Sequence, residues 1–223
     1  RCFNRMNDTI DGCVVTGQAW DEGPILLVDV GTNGEIILKH GDHLIGCATA
    51  AGPAFEGARL SSGMRAADGA IEHVRFDDAK NASCEVIGDV DPTGLCGSAY
   101  LDLLTEGRRV GLLSIAGRFD GDHPNITATE HGKSMRLAGD DGNAVTITES
   151  DIASLLQAKG AIGAGIVTLM QKVGIAPADI KRVYLAGGFG LHIDSASAVG
   201  SGLLPGFEPA QIESVGNTSL GGA

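Results

Sequence analysis

Aromatic side chains make up only 4% of the 223 residues, so any core must rest on Val, Ile, Leu and Ala within a hydrophobic fraction of 43%. Basic residues are scarce as well: 16 Lys and Arg stand against 28 Asp and Glu, a formal charge of −12. That balance argues against nucleic acid as a generic partner, because a phosphate backbone needs a basic surface. It does not argue against a nucleotide, which a few backbone N–H groups and one metal ion can hold. The acidity itself reads mostly as solubility. No apolar run approaches the ~20 residues of a membrane span, and no charged n-region with an apolar h-region opens the chain. The five cysteines (Cys2, Cys13, Cys47, Cys84, Cys96) are odd in number, far apart and form no Cys-x-x-Cys. Such usage fits reduced, cytoplasmic thiols better than a disulfide frame, and it argues against an iron–sulfur cluster within these residues. The histidines have no zinc spacing, and His40 and His43 read as solvated turn residues. The Asp-rich stretches near Asp120 and Asp140 lack the regular calcium-loop pattern.

Glycine, by contrast, is abundant: 34 of 223 residues, against an average near ~7%. These glycines sit within alternating apolar segments, which points to tight turns and close backbone approaches. The most informative stretch is Asp29-Val30-Gly31-Thr32-Asn33-Gly34-Glu35-Ile36, set between the apolar runs Ile25–Val28 and Ile36–Leu38. A carboxylate ending a buried strand, followed by Gly-Thr-Asn-Gly and a return strand, can hold phosphate and its metal. Gly31 and Gly34 permit φ > 0 and close approach, and Thr32 and Asn33 bring polar side chains to the same turn. Asp29 can hold magnesium through its waters or orient an attacking water. An ordinary hairpin turn would use the same residue types, and the motif alone does not separate the two.

Residues 1–23 read as a lead-in segment. Strands are expected at 24–30, 35–40 and 43–49, with tight turns at Thr32-Asn33-Gly34 and Gly41-Asp42. An ordered Gly/Ala-rich loop follows over 50–69, then strands at 70–76 and 84–87 and a helix over 95–106. Residues 118–143 form a polar excursion. The surest helix spans 149–173, with Thr148 and Asp151 as its cap and Ile152, Leu155, Leu156, Ile162, Ile166, Leu169, Met170 and Val173 near a 3.6 period. Gly160, Gly163 and Gly165 would each cost roughly 1 kcal/mol relative to Ala, which points to close packing along that helix. A strand at 181–186, a short helix at 194–200 and a strand at 212–215 complete the order. Three meandering strands, then helix, strand, helix, strand, is the order of a ribonuclease-H-like α/β domain.

Val183-Tyr184-Leu185-Ala186-Gly187-Gly188-Phe189-Gly190 repeats the logic of the first motif, with an apolar strand ending in glycines. In open α/β sheets ligands collect at the carboxyl ends of strands. Neither turn matches the Walker A or Rossmann pattern. Together with Ala50–Gly57, Gly63–Ala66, Gly94–Ser98, Ala158–Ile162 and Val215–Thr218, these blocks resemble the carboxyl-terminal region of the ATP-dependent reductive activators of corrinoid proteins. Those activators are a branch of the actin, sugar-kinase and heat-shock-chaperone superfamily, and the likeness runs from about Ile25 to the end.

The resemblance implies an actin-like ATPase fold, a mixed sheet with helices on both faces. Residues 24–223 would be one half-domain carrying insertions at about 50–93 and 107–147. It implies ATP and magnesium as cofactors, with an iron–sulfur cluster only in a separate amino-terminal ferredoxin-like domain. It implies reduction of a methyltransferase system's corrinoid protein from cob(II)alamin to cob(I)alamin, and a homodimer. On this mapping Asp29 serves the metal and the attacking water, and Gly31, Thr32, Asn33 and Gly34 surround the phosphates. Gly187, Gly188 and Phe189 flank the adenosine, while Glu56 and Ser98 stand at the cleft edge. Both chain ends read as those of a fragment. The family's other phosphate motif is expected upstream of Arg1, so weak ATP binding and poor hydrolysis are expected of this chain alone. A phosphotransferase of the sugar- or acetate-kinase type, or a non-enzymatic docking and dimerisation module, are the competing readings.

Overall fold

The computed structural model describes residues 23–140, 142–187 and 193–216. Two compact units divide the chain, one of Arg1–Ala51 with Gly160–Ala223 and the other of Gly52–Lys159.

The first unit is built on strands β1 (Ile25–Val30), β2 (Gly34–His40) and β3 (His43–Thr49). Two further strands lie far along the chain, β10 (Arg182–Ala186) and β11 (Ile212–Gly216). They form one sheet in the order β11-β10-β1-β2-β3. β1 runs parallel to β10 and antiparallel to β2, β2 is antiparallel to β3, and β10 is parallel to β11. This is the three-strand meander extended by crossovers that the sequence order implies. β1 sits at the centre, and all six of its residues are buried, which explains a nearly continuous apolar run instead of an alternating one. Ile25, Leu27, Ile37, Tyr184 and Ala186 form the core on one face, with Val215 against them.

The long helix spans Glu149–Val173 as the sequence predicts. Within the first unit its Gly165 lies on the other face of the sheet: a Cβ there would come within 2.7 Å of Ile36 Cδ1 and Thr49 Cγ2. The expectation of close packing at all three helix glycines needs correction. Gly163 makes only ordinary contact with Pro205, and Gly160 is exposed with nothing within 4 Å of its Cβ position. A second correction concerns length. With 25 residues and a window of mean hydropathy 1.5, this helix is long and apolar enough to cross a bilayer, although only 44% of that window is buried. Glycine and alanine, spread between the larger side chains, hid its apolar character from a search for runs. Its apolar positions Ile152, Leu155, Ile162 and Ile166 are fully buried within the protein, as in a core helix. A short helix, α3 (Ser195–Gly200), is capped by Asp194, whose carboxylate accepts from Ser197 N.

The second unit holds β4 (Ala70–Phe76), β5 (Ala82–Val86) and β6 (Gly94–Leu95) in the order β5-β4-β6. It also holds β7 (Ile126–Thr129), β8 (Gly132–Ala138) and β9 (Val145–Thr148) in sequential antiparallel order. The polar excursion thus resolves into a hairpin. Helix α1 spans Gly97–Arg109 and starts two residues later than its spacing implies, because Gly94 and Leu95 pair with Ala70 and Ile71. That pairing ends early and leaves the rest of one β4 edge without a neighbouring strand, and side chains of α1 fill the place. Ser98 Oγ donates to Glu72 O (2.8 Å), and Asp102 Oδ2 accepts from Val74 N (3.3 Å) and meets His73 Nδ1 (2.8 Å). Glu106 Oε2 accepts from Phe76 N (3.5 Å), while Arg109 donates to Phe76 O (2.6 Å) and to Glu106. One helical face satisfies alternate residues of the strand, as buried backbone groups require. The start of α2 (Glu149–Val173) is closed as expected: Asp151 N donates to Thr148 Oγ1, and Thr148 N donates to Asp151 Oδ2. Asp151 also accepts from Ser61 N and Oγ, pinning the Gly/Ala-rich loop to the helix.

Candidate functional site

The first unit brings the two glycine turns together. β1 and β10 are parallel neighbours with Asp29 level with Ala186, so both strands deliver their following turns to the same carboxyl end of the sheet. Asp29 is the polar break in an otherwise apolar central strand and is 8% exposed. Gly187 follows β10 with φ +99, donating its N–H to Gly216 O at 2.9 Å. A Cβ on Gly187 would meet the Val30 carbonyl oxygen and stand 2.7 Å from Asp29 Oδ1. Only glycine keeps that conformation and leaves the carboxylate its place. Strand pairing and the bare Cα therefore set Asp29 against the second turn.

In the turn between β1 and β2, Thr32 and Asn33 are exposed, and Gly31 N donates to Asn33 O at 3.1 Å. The two glycines differ from their sequence reading, since neither Gly31 nor Gly34 has positive φ. Gly34 is required by packing: a Cβ there would lie 2.5 Å from Thr49 Oγ1 and 3.1 Å from Ile162 Cγ1, and Thr49 Oγ1 donates to its carbonyl at 3.2 Å. Around Gly31 a Cβ would meet only Asn33 O, at 3.5 Å, among the described residues.

The remaining candidates lie in the second unit or outside the described residues. Glu56 ends a 3₁₀ turn, Pro53–Glu56, and is half-buried. The next residue, Gly57 (φ 77), packs against the Gly63–Met64 backbone, where a Cβ would come within 2.6 Å of Met64 N. Ser98 is buried, and its hydroxyl serves the β4 edge described above. Gly188 and Phe189 fall outside the described residues, as do Cys2, Cys13 and His192. Cys96 is buried and Cys47 and Cys84 are half-buried; burial pushes the Cys84 thiol up to about 11, as for inert thiols.

A group the sequence reading left without a role is Lys159. Burial, then the nearby Arg108 guanidinium, push its ammonium below the usual lysine range. Its signal in the sequence was a cation midway along the apolar helix α2, whose other lysine, Lys172, lies in the last turn, a pattern equally compatible with a solvated side chain.

Magnesium and a nucleotide phosphate fit the chemistry of the Asp29 turn. Among the described residues no cluster of three His, Cys, Asp or Glu could cage a metal. Magnesium does not need one, since it keeps several waters and is bound through one or two carboxylates plus substrate phosphates. Asp29 would supply the carboxylate, Thr32 and Asn33 the polar side chains, and Gly187 a surface with no side chain.

Comparison with known proteins settles which family this arrangement belongs to. Residues 23–223 match the family described as the C-terminal domain of RACo, the ASKHA domain. The chain belongs to that family. Its fold is accordingly the ASKHA, or actin-like ATPase, fold, a nucleotide-binding architecture. The corrinoid activation enzyme RamQ of Eubacterium limosum is 36% identical over 223 residues, covering 94% of this chain and 37% of RamQ. A [Co(II) methylated amine-specific corrinoid protein] reductase of Methanosarcina barkeri is 31% identical over 219 residues, 88% of this chain and 37% of that protein. A solved reductive activator for corrinoid, iron–sulfur protein superposes with TM-score 0.87 at 38% identity, over 96% of this chain and 35% of that one. This ASKHA chain thus spans little more than a third of the length of these relatives.

Proposed function

We propose that this chain is the ATP-binding half of an ATP-dependent activator that returns a methyltransferase system's corrinoid protein from cob(II)alamin to cob(I)alamin. The observation that carries this reading is the close approach of Gly187 to Asp29, whose Oδ1 an added Cβ would meet at 2.7 Å, at one end of the sheet. The names of its relatives, an activation enzyme, a reductase and a reductive activator, supply the corrinoid protein as partner. Asp29 would hold magnesium through its waters and would orient the water that attacks the γ-phosphate. Magnesium supplies neutralisation of the phosphate charge. Thr32, Asn33 and the Gly31 backbone position the phosphates, and Gly187, Gly188 and Phe189 receive the adenosine. Reduction of Co(II) to Co(I) takes one electron, which an iron–sulfur cluster outside these residues would supply. Hydrolysis supplies the driving force by favouring one arrangement of the partners over another. The protein works in the cytoplasm, where its thiols stay reduced.

The test uses the longer polypeptide that carries this chain, with a reduced electron donor, Mg-ATP and a corrinoid protein in the cob(II)alamin state. Asp29→Asn should lower ATP-dependent cob(I)alamin formation at least ~100-fold while leaving the circular dichroism spectrum unchanged. A variant reducing cobalt at the wild-type rate would remove Asp29 from the mechanism. Transfer of phosphate to a sugar or carboxylic acid, without any cobalt reduction, would replace the activator reading with a kinase one.

A further inference from the structure

Between the β7–β8 hairpin and the loop that precedes it lies a pocket of about 540 Å³, lined by the Gly121–Pro124 segment, Ile126, Ala128 and Lys133. That volume is in the range of small-molecule sites. The loop is fixed at both ends. Phe119 N donates to Glu149 Oε1 at 3.0 Å and Asp120 N to Leu112 O at 2.9 Å. At the far end Ile126 N donates to His123 O and Arg136 N to Asn125 O, each at 2.9 Å. The N–H groups between, those of Gly121, Asp122 and His123, have no acceptor among the described residues.

Two lysines stand beside this row of donors. Lys133, across the hairpin from Ala128, donates its Nζ to Phe119 O at 3.2 Å. Lys80 donates to Gly111 O at 3.0 Å, and its Nζ lies 4.0 Å from the place of a Cβ on Gly121. Each carbonyl takes one of the three N–H bonds of an ammonium group. Neither lysine is in an ion pair among the described residues, although the chain has 28 acidic residues against 16 basic ones. Two ammonium groups held by carbonyls and left without carboxylates favour an anion. His123 adds a donor: its Nδ1 accepts from Asn125 N at 3.3 Å, so the neutral ring carries its proton on Nε2. The rest of the lining differs in kind, since Pro124, Ile126 and Ala128 offer aliphatic surface and Asp122 a carboxylate. A multiply charged anion such as phosphate would be repelled by Asp122, whereas a zwitterion satisfies both signs of charge.

We propose that this pocket binds a small aliphatic amino acid. The ligand's carboxylate receives hydrogen bonds from Lys133 and from the N–H groups of Gly121 to His123. Its ammonium group donates to Asp122, and its side chain lies on Pro124, Ile126 and Ala128. An apolar surface with a few polar groups that fix orientation is the general plan of a small-ligand site. Gly121, Asp122, Pro124 and Ala128 are exposed, so the pocket is open on one side and binds with a Kd of about 1 mM. All of its residues belong to the second unit, and none of them is a nucleotide candidate.

Titration of the complete 223-residue chain with L-leucine, followed by saturation-transfer NMR, tests this. Transfer to the leucine methyl groups should rise with a Kd of about 1 mM. Asp122→Asn and Lys133→Gln should each weaken binding at least tenfold with unchanged circular dichroism spectra. Ala128→Phe, at an exposed position, should fill the pocket and abolish binding while leaving every charge in place. That variant keeps the proposal testable should Lys133→Gln loosen the hairpin. Isoamylamine, which is leucine without its carboxylate, and inorganic phosphate should not displace leucine at equal concentration. No transfer at about 20 mM leucine, binding unaltered in Asp122→Asn or Ala128→Phe, or displacement by equimolar isoamylamine or phosphate would each overturn the proposal.

Discussion

Gly187 is where one added methyl group tests the geometry of the site. Alanine there must adopt φ near +99 and place its Cβ 2.7 Å from Asp29 Oδ1. We expect Gly187→Ala to cost about 1–3 kcal/mol in urea unfolding and to weaken Mg-ATP binding by displacing the carboxylate. Unchanged stability and unchanged binding would show that the turn does not hold Asp29. The helix glycines allow a sharper comparison. Gly160→Ala, exposed and with open space around it, should stabilise the protein by about 0.5–1 kcal/mol. Gly165→Ala, with Ile36 and Thr49 at 2.7 Å, should destabilise it by about 1–3 kcal/mol. Opposite signs in the same denaturation assay are the expected outcome, and equal effects would contradict the packing. In the sequence these residues look alike, because helical periodicity says which face a residue lies on but not how near the opposing surface comes. The same limit applies to Gly31 and Gly34, which read as a matched pair while one is open and the other is pressed against Thr49.

At the scale of elements, most strands and helices were legible because their apolar periods are clear. The ladder from α1 to β4 was not. Ser98, which the family resemblance put at the cleft edge, recurs at helical spacing with Asp102, Glu106 and Arg109, and nothing local reveals that a strand edge lies under them. Asp102→Ala leaves Val74 N and His73 Nδ1 without their acceptor and should cost about 2–4 kcal/mol. Asp102→Asn keeps one acceptor oxygen and should cost clearly less; equal losses would mean that packing, not hydrogen bonding, sets the value. Two carboxylates also predict a response to acid. The Arg109 hydrogen bond holds Glu106 below its usual range against some opposing burial. Burial pushes Glu149 upward, but Arg118 and the N–H groups of Phe119 and Lys133 outweigh it, so its net shift is downward. Both groups are thus more acidic folded than unfolded. Their contribution is complete above the unfolded value of about 4.3 and is lost as pH falls through the folded values. Glu149→Gln should therefore flatten the loss of stability between about pH 5 and pH 3, measured by urea midpoints at each pH.

For the whole molecule, the sequence order conveyed the meander extended by crossovers, and two separate glycine turns indicated one end of one sheet. Their contact through Gly187 required the parallel pairing of residues some hundred and fifty positions apart, which no local pattern encodes. Because Asp29 lies on the central strand β1 and Gly187 directly follows β10, the strand paired with it, nucleotide binding there should be felt as stability of the sheet. A ligand that binds only the folded chain adds RT ln(1 + [L]/Kd), about 1.4 kcal/mol at ten times Kd. For a chain of this length that raises the melting temperature by about 3–6 °C. The rise should depend on magnesium, vanish with a chelator and be absent in Asp29→Asn, because the metal links the phosphate to this one carboxylate. A rise that survives the chelator would assign binding to the turns alone and take the metal away from Asp29. No rise at saturating Mg-ATP would mean that these 223 residues do not form the nucleotide site unaided, and the contact between Asp29 and Gly187 would then be a feature of the fold only.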